Sequence, residues 1–140
     1  MIRLMSVLMA LCVGLVGCKV GTVDVGGRLM PVEETEWQLT ELYGEPVIAA
    51  DPMPFVQLDP KTHRMTGFGG VNRMSSSYKF EGGRLTFGMI AATKMAGPEA
   101  AMKIEGEFFT ALSQVQTYRI VGSSLEMQNG GKVLARFVAR

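Results

Sequence analysis

The stretch GPEAAMKIEGEFFTALSQV, residues 97–115, decides the fold, because its apolar side chains recur at helical spacing. Pro98 stands near the start and Glu99 in the first turn, and both residues are favourable at those positions of a helix. The apolar positions are Ile104, Phe108, Leu112 and Val115, with Met102 and Phe109 widening the stripe. We therefore predict one amphipathic helix here.

Segments with period-two alternation lie on both sides of this helix. The run WQLTEL, residues 37–42, alternates between apolar and polar residues from Trp37 to Thr40, as a half-buried strand does. Similar runs at 55–58, 64–68, 77–80 and 84–87 precede the helix, and those at 118–121, 124–127 and 132–138 follow it. The turns Glu81-Gly82-Gly83 and Asn129-Gly130 predict hairpins. This order predicts an α+β fold in which an antiparallel sheet curls around or packs on one helix.

The N-terminus has the three parts of a secretory signal. Arg3 supplies a positive charge, residues 4–16 form an apolar run, and Gly17 is a small residue at a cleavage point. The alternative is a membrane-spanning anchor, but a helix from Leu4 to Cys18 reaches only about 22 Å, short of the roughly 30 Å hydrocarbon core. We therefore predict that residues 1–17 are a cleaved leader.

The end of the leader resembles the lipobox of bacterial lipoproteins, reading Leu15-Val16-Gly17-Cys18. In such proteins a lipid is attached to the cysteine thiol and the chain is cut just before it, so Cys18 is the predicted lipidation site. Two or three acyl chains make attachment effectively permanent, since each buried methylene contributes about 0.8 kcal/mol. Lys19 resembles the residue found in lipoproteins sorted to the outer membrane, which predicts an anchor there, facing the periplasm.

Composition narrows the remaining function classes. Without its 17-residue leader the 140-residue chain keeps 123 residues, which suits one domain. Loss of Arg3 leaves 13 basic and 13 acidic residues without a basic block, so we expect no nucleic-acid partner. Cys12 leaves with the leader and Cys18 carries lipid, so no disulfide is expected. We predict that residues 18–35 are the lipidated end and a flexible tether, with a first strand at 22–25 as the alternative. We predict that residues 36–140 are the folded domain.

Several segments, in their order and spacing, resemble the META (HslJ-like) domain family. They are Trp37-Gln38-Leu39, Gly67 to Asn72, Tyr78, Leu85-Thr86-Phe87, Thr93 to Gly97 and the helix from Phe108 to Leu112. The resemblance covers residues 37–137. It implies an antiparallel, barrel-like β-sheet packed around one α-helix, a role in envelope stress tolerance, novobiocin resistance in some members, and no established enzymatic activity.

The chain departs from this family at two positions where many members have cysteines. Val71 replaces the cysteine of a Gly-Cys-Asn segment, and Gly97 replaces the cysteine that ends the segment before the helix. The resemblance implies that these positions normally pair as a disulfide. We expect Val71 to fill part of the gap, Gly97 to leave the helix start flexible, and a cysteine pair introduced here to form a bond.

Few residues suggest a chemical site. Gly67-Phe68-Gly69-Gly70 could cradle a phosphate, but no helix pattern follows directly, so a turn or bulge is the better interpretation. The only histidine, His63, follows Pro60-Lys61-Thr62, a predicted exposed turn, and nothing in the sequence supports pairing it with Ser75 to Ser77 as a catalytic dyad. One histidine and no free cysteine exclude a structural zinc site, and no cofactor is implied. Eight scattered methionines favour core filling over copper(I) binding.

Two functions remain open at this stage. The first is a non-enzymatic envelope module that binds or steadies an envelope protein, or inhibits a hydrolase through an exposed loop at residues 73–77. The second is a small-ligand binder, or an enzyme, that uses the concave side of the sheet. Its polar residues would be Asn72, Tyr78 and Thr93, which are equally candidates for structural roles. Glu105 and Glu107 lie two apart on the helix and cannot form a catalytic pair on one face.

Overall fold

The computed structural model describes residues 30–48 and 50–140. The predicted leader, the lipidation site Cys18, the sorting residue Lys19 and the alternative strand at 22–25 lie outside these residues. Ten strands and one helix follow in chain order: β1 Glu36–Leu42, β2 Glu45–Pro46, β3 Phe55–Asp59, β4 Arg64–Phe68, β5 Arg73–Glu81, β6 Arg84–Phe87, β7 Ala91–Ala92, α1 Glu99–Gln114, β8 Thr117–Val121, β9 Ser124–Asn129 and β10 Lys132–Ala139.

The strands form a single antiparallel sheet that closes as a ring. Its order is β10-β9-β8-β6-β5-β4-β3-β1, and β1 pairs again with β10. Trp37 faces Ala139 and Leu42 faces Ala135 in this closing ladder. The short strands β2 and β7 pair only with β1 and β5 respectively. The predicted antiparallel sheet with one helix is therefore confirmed.

Because side chains alternate along each strand, every second side chain points into the ring, where these side chains form the core with the helix. Trp37, Leu58 and Met65 are fully buried there. From the helix, Phe108 contributes a ring whose centroid lies 5.9 Å from that of Phe137 in β10. Apolar side chains thus fill the inside of the described sheet, and burial of this area is the main stabilising contribution to the fold.

Strand β5 is longer than the sequence predicts. We expected a strand only at 77–80, after a turn-rich stretch, but the strand runs from Arg73 to Glu81. Its first half pairs with β4, for example Ser75 with Thr66, and its other edge pairs with β7. Serines have low strand propensity, but pairing on two sides overrides that preference. The segment 73–77 is therefore part of the sheet and cannot be the exposed inhibitory loop considered above.

The folded region also begins earlier than the boundary placed at residue 36. Val32 and Thr35 are buried, and the Trp37 indole N–H donates a hydrogen bond of 2.8 Å to the Val32 carbonyl. The Glu34 N–H donates to the Leu58 carbonyl at 2.9 Å. Residues 30–35, assigned to the tether from sequence, are thus packed on the domain. In the described part of the chain, no helix has the length and apolar character needed to cross a membrane.

Candidate functional site

A carboxylate lies in the middle of the buried face of the helix. Glu105 stands between Ala101 and Phe108 on that face and is only 5% exposed. Its Oε2 accepts hydrogen bonds from the backbone N–H groups of Val71 at 2.9 Å and Asn72 at 2.6 Å. Its Oε1 accepts from Asn72 Nδ2 at 2.7 Å. The buried charge is therefore compensated by three donors, all from the turn between β4 and β5.

Asn72 connects this carboxylate to the segment that precedes the helix. Its Nδ2 also donates to the Met95 carbonyl at 3.1 Å. Its Oδ1 accepts from Thr93 Oγ1 at 2.8 Å and from the Met95 N–H at 2.7 Å. An asparagine side chain offers two N–H donors and two acceptor lone pairs, so its capacity is full. We call these four residues, Asn72, Thr93, Met95 and Glu105, the Asn72–Glu105 network, and its geometry supports the structural role.

The glycine-rich turn before Asn72 is shaped to approach the helix. A Cβ on Gly69 would lie 2.7 Å from Glu105 Cγ and 2.8 Å from Phe109 Cε1, so only glycine fits there. Gly70 has a φ of +129°, a conformation that favours glycine. Successive backbone N–H groups in such a turn form an anion-binding concavity. Here the anion is the chain's own Glu105 carboxylate, and strand β5, not a helix, follows the glycines.

Tyr78, the third polar candidate, lies elsewhere. It is six residues from Asn72 along β5, or about 20 Å at the usual rise of a strand. Its hydroxyl donates to Glu33 Oε1 at 2.5 Å. Burial, and then this hydrogen bond, raise the pKa of the Tyr78 phenol well above its ordinary value. The structure therefore brings Asn72 and Thr93 together but places Tyr78 in a separate contact, which ties the N-terminal segment to the sheet.

Positions 71 and 97, where the family resemblance implies a cysteine pair, are adjacent. A Cβ built on Gly97 would lie 3.4 Å from the Val71 Cβ and 2.7 and 2.8 Å from its two methyl carbons. Disulfides have Cβ separations of about 3.5–4.5 Å, so this spacing lies just below that range. The absence of a side chain at Gly97 leaves room for the branched side chain of Val71, and the flexible helix start stays a prediction.

A concave surface lies outside the ring, across β3 and β4. Two cavities of about 470 and 630 Å³ meet at Gln57 and Thr66, which face each other across the two strands. We call this surface the outer groove. One half is lined by Glu34, Asp59, Lys61, Thr62 and Arg64, and the other by Glu36, Pro52, Phe55, Phe68, Arg73 and Met74.

Some charged side chains of the outer groove already form hydrogen bonds within the protein, and others do not. Asp59 accepts from Thr62 Oγ1 and the Lys61 N–H, both at 2.8 Å, and these bonds lower the pKa of its carboxyl. Arg64 Nη2 donates to Ser75 Oγ at 3.2 Å. Arg73 makes no ion pair or side-chain hydrogen bond with any residue of the described ranges. It therefore offers a guanidinium to a ligand.

The remaining sequence candidates do not gather into a site. His63 stays exposed in its turn, with its ring edge-on to Tyr78 at 6.1 Å between centroids. No three His, Cys, Asp or Glu side chains in residues 30–48 and 50–140 are placed to hold a metal ion. Core filling explains only some methionines: Met65, Met74 and Met127 are buried, whereas Met89, Met95 and Met102 are exposed.

Sequence reasoning considered Glu105 only as half of a catalytic pair and missed its buried position on the helix, although a signal was present. The helix positions 101, 105, 108 and 112 form one stripe at spacings of four, three and four residues, and a glutamate occupies the second of them. A charged residue at the centre of an apolar stripe indicates a buried partner. Glu107, two positions on, is exposed, as expected from its spacing.

This geometry defines a small β-rich domain with a filled, ring-like antiparallel sheet, one helix and a groove on its outer face. The chain belongs to the META domain family, whose model matches residues 30–140. No curated protein sequence matches the chain.

Three solved structures share this fold. A protein from Burkholderia xenovorans, determined by NMR, has a TM-score of 0.63 and 22% identity over 78% of this chain and 83% of that one. Another NMR structure gives 0.59 and 18% over 76% and 91%. A DUF4847 family protein from Bacteroides vulgatus gives 0.53 and 15% over 76% and 93%. At these identities the likeness shows the fold alone.

Proposed function

We propose that this chain is a lipid-anchored, non-enzymatic binding module of the bacterial cell envelope. It is attached through lipid on Cys18 to the outer membrane, faces the periplasm, and supports envelope stress tolerance by binding an envelope component in the outer groove. The observation that carries the proposal is this groove, a continuous concave surface with an unengaged Arg73 beside the half-buried Phe55 and Phe68.

The arrangement of polar groups favours binding over chemistry. The buried polar side chains Asn72 and Glu105 use their hydrogen bonds to hold the turn, the pre-helix segment and the helix together. Within the outer groove, Asp59 is held by its own turn, and the remaining polar lining consists of amide, hydroxyl and charged groups suited to recognition. The lowered pKa of the Asp59 carboxyl has a local cause in these turn hydrogen bonds, so it is not by itself a sign of a catalytic acid or base.

The proposed anchor limits where the groove can act. Twelve peptide steps separate Cys18 from Met30, the first described residue. At no more than about 3.5 Å per step, the domain stays within roughly 42 Å of the lipid. A partner must therefore lie at the membrane surface or in the adjoining periplasmic space.

Anchoring is tested by labelling cells with radioactive palmitate and separating their membranes. We expect label in the wild-type protein, loss of label in Cys18→Ala, and recovery of the wild type with the outer membrane. Unlabelled wild-type protein, or protein recovered free of membranes, would contradict the anchoring part of the proposal.

Binding is tested by placing a photo-crosslinking amino acid at Thr66, on the floor of the outer groove. The matched control position is Ser113, which is exposed on the helix away from the groove. We expect a discrete crosslinked species in intact cells from Thr66 and none from Ser113. Identical patterns from both positions would refute groove-mediated binding.

The small-ligand binder that the sequence left open is less well supported by the structure. It placed the ligand on the concave side of the sheet, where the described core side chains fill the space and Asn72 has no free hydrogen-bonding capacity. The hydrolase-inhibitor version relied on residues 73–77 as a loop, and these lie within β5. A hydrolase partner would instead bind in the outer groove, in which case the Thr66 crosslink identifies it.

A further inference from the structure

Most charges that line the outer groove are sorted by side. Glu34, Glu36 and Asp59 lie on the side of β1 and β3, Arg64 and Arg73 lie on β4 and β5, and Lys61 lies in the turn that joins β3 to β4. Gln57 stands opposite Thr66 on a neutral stretch of the floor. Two of the acidic groups are already partly engaged, Asp59 by its own turn and Glu36 by Arg140 at 3.5 Å, an exposed pair that contributes little stability.

The dimensions of the groove match one extended chain. Its floor follows β3 and β4 from the Phe55–Phe68 pair to the Asp59–Arg64 pair, which are four residue steps apart. At about 3.3 Å per step this is roughly 13 Å, the length of four to five residues of an extended peptide. The direction of the groove is therefore that of the strands beneath it.

The charges on the two sides of the groove then determine which peptide fits. In an extended peptide successive side chains point to opposite sides. A peptide lying along the groove therefore presents alternate residues to the acidic and the basic walls. Gln57 and Thr66 provide an amide and a hydroxyl for its backbone, and Phe55 with Phe68 provides an apolar end for one side chain.

Resting on the function proposed above, we infer that the outer groove binds an extended peptide that carries carboxylates along one edge and ammonium groups along the other. Purely anionic ligands are disfavoured because Glu34 and Glu36 would face them, and purely cationic ligands because Arg64 and Arg73 would. The zwitterionic pattern is the only one that complements both walls.

The inference is tested with two peptides of the same composition and zero net charge, acetyl-Glu-Lys-Glu-Lys-Phe-amide and acetyl-Glu-Glu-Lys-Lys-Phe-amide. The first presents Glu to one wall and Lys to the other, and the second mixes the charges on both sides. Binding to the mature chain is followed by NMR titration. We expect the alternating peptide to bind about fivefold more tightly, as two exposed ion pairs predict, with shifts at Gln57, Thr66 and Arg73.

Charge reversal shows whether the groove is responsible. Arg73→Glu should abolish the preference for the alternating peptide. Lys94→Glu makes the same charge change at an exposed position outside the groove and should leave the preference intact. Equal affinities of the wild type for both peptides, no binding of either at millimolar concentration, or shifts confined to another surface would each overturn the inference.

The experiments distinguish failure of this inference from failure of the proposed function. A specific Thr66 crosslink in cells, together with equal peptide affinities, leaves the binding module standing and removes the zwitterionic peptide as its ligand. Absence of the Thr66 crosslink together with a fivefold preference in solution supports the ligand chemistry and refutes the envelope partner.

Discussion

Introducing cysteines at positions 71 and 97 should produce a disulfide that stabilises the domain. The Cβ atoms at these positions are 3.4 Å apart when one is built on Gly97, a separation that relaxes into disulfide geometry with a shift of a few tenths of an ångström. Val71→Cys also removes one of the two methyl groups that the new Cβ would meet. The double variant is therefore less crowded than Gly97→Cys alone.

The expected magnitude follows from the loop that the bond closes. Residues 71 to 97 form a loop of 27 residues, for which the chain-entropy relation gives about 3.5 kcal/mol at 25 °C. For a domain of this size, about 4 °C per kcal/mol corresponds to a rise in Tm of roughly 14 °C. Gly97→Cys with Val71 retained should instead lose about 1–3 kcal/mol, because its side chain overlaps the Val71 methyl groups.

The assay compares the oxidised and the reduced double variant in a mature chain that also carries Cys18→Ser, so that the introduced pair supplies all thiols. Free thiols are counted with Ellman's reagent, and stability is measured by urea unfolding followed by circular dichroism. We expect no free thiol after oxidation and a higher urea midpoint that reducing agent reverses. Two free thiols after oxidation, or a bond that lowers the midpoint, would refute the placement of the turn against the pre-helix segment.

Three further predictions concern the polar contacts. Glu105→Gln should lower the free energy of unfolding, measured in urea, by about 2–3 kcal/mol, because one side-chain amide cannot accept hydrogen bonds from the two backbone N–H groups and from Asn72 together. A urea midpoint equal to that of the wild type would contradict the network. The raised pKa of Tyr78 means that its contribution is complete below about pH 10 and is lost as the pH rises through the folded-state pKa, so Tyr78→Phe should show a weaker alkaline loss of stability than the wild type. Burial raises the pKa of Glu126, but arginine hydrogen bonds outweigh it and lower the net value, so its contribution is present above about pH 4.3 and is lost as the pH falls through the folded-state pKa. Glu126→Gln should therefore flatten the acid limb of the stability profile, and an acid limb as steep as that of the wild type would exclude this role.

Local pattern was enough to locate most elements of the fold. The helix begins at Glu99, next to the predicted Pro98 start, because the apolar stripe and the proline act within the segment itself. The strand at 64–68 coincides with β4. By contrast, residues 73–76 become strand only because β4 and β7 pair with them, and that pairing is set by the ring and not by their own propensity.

The polar contacts were less accessible from sequence, because they join distant segments. Asn72 was chosen as a polar candidate, but its partner Glu105 lies 33 residues away and only the folded ring brings them within hydrogen-bonding distance. Gly97 illustrates the same limit: its φ is unremarkable, and the reason for its missing side chain is Val71 from another loop. The outer groove is likewise a product of neighbouring strands rather than of any contiguous motif.

The pairing of the first long strand with the last sets the order in which this protein can be assembled. β1 and β10 lie about a hundred residues apart in the chain, and the Arg140 N–H donates to the Glu36 carbonyl at 3.0 Å at the end of this ladder. Contacts of such high sequence separation form late, because loop-closure entropy must be overcome first. A nascent chain therefore has an open β1 edge until β10 has been synthesised, and a deletion within β10 would keep that edge open to intermolecular strand pairing.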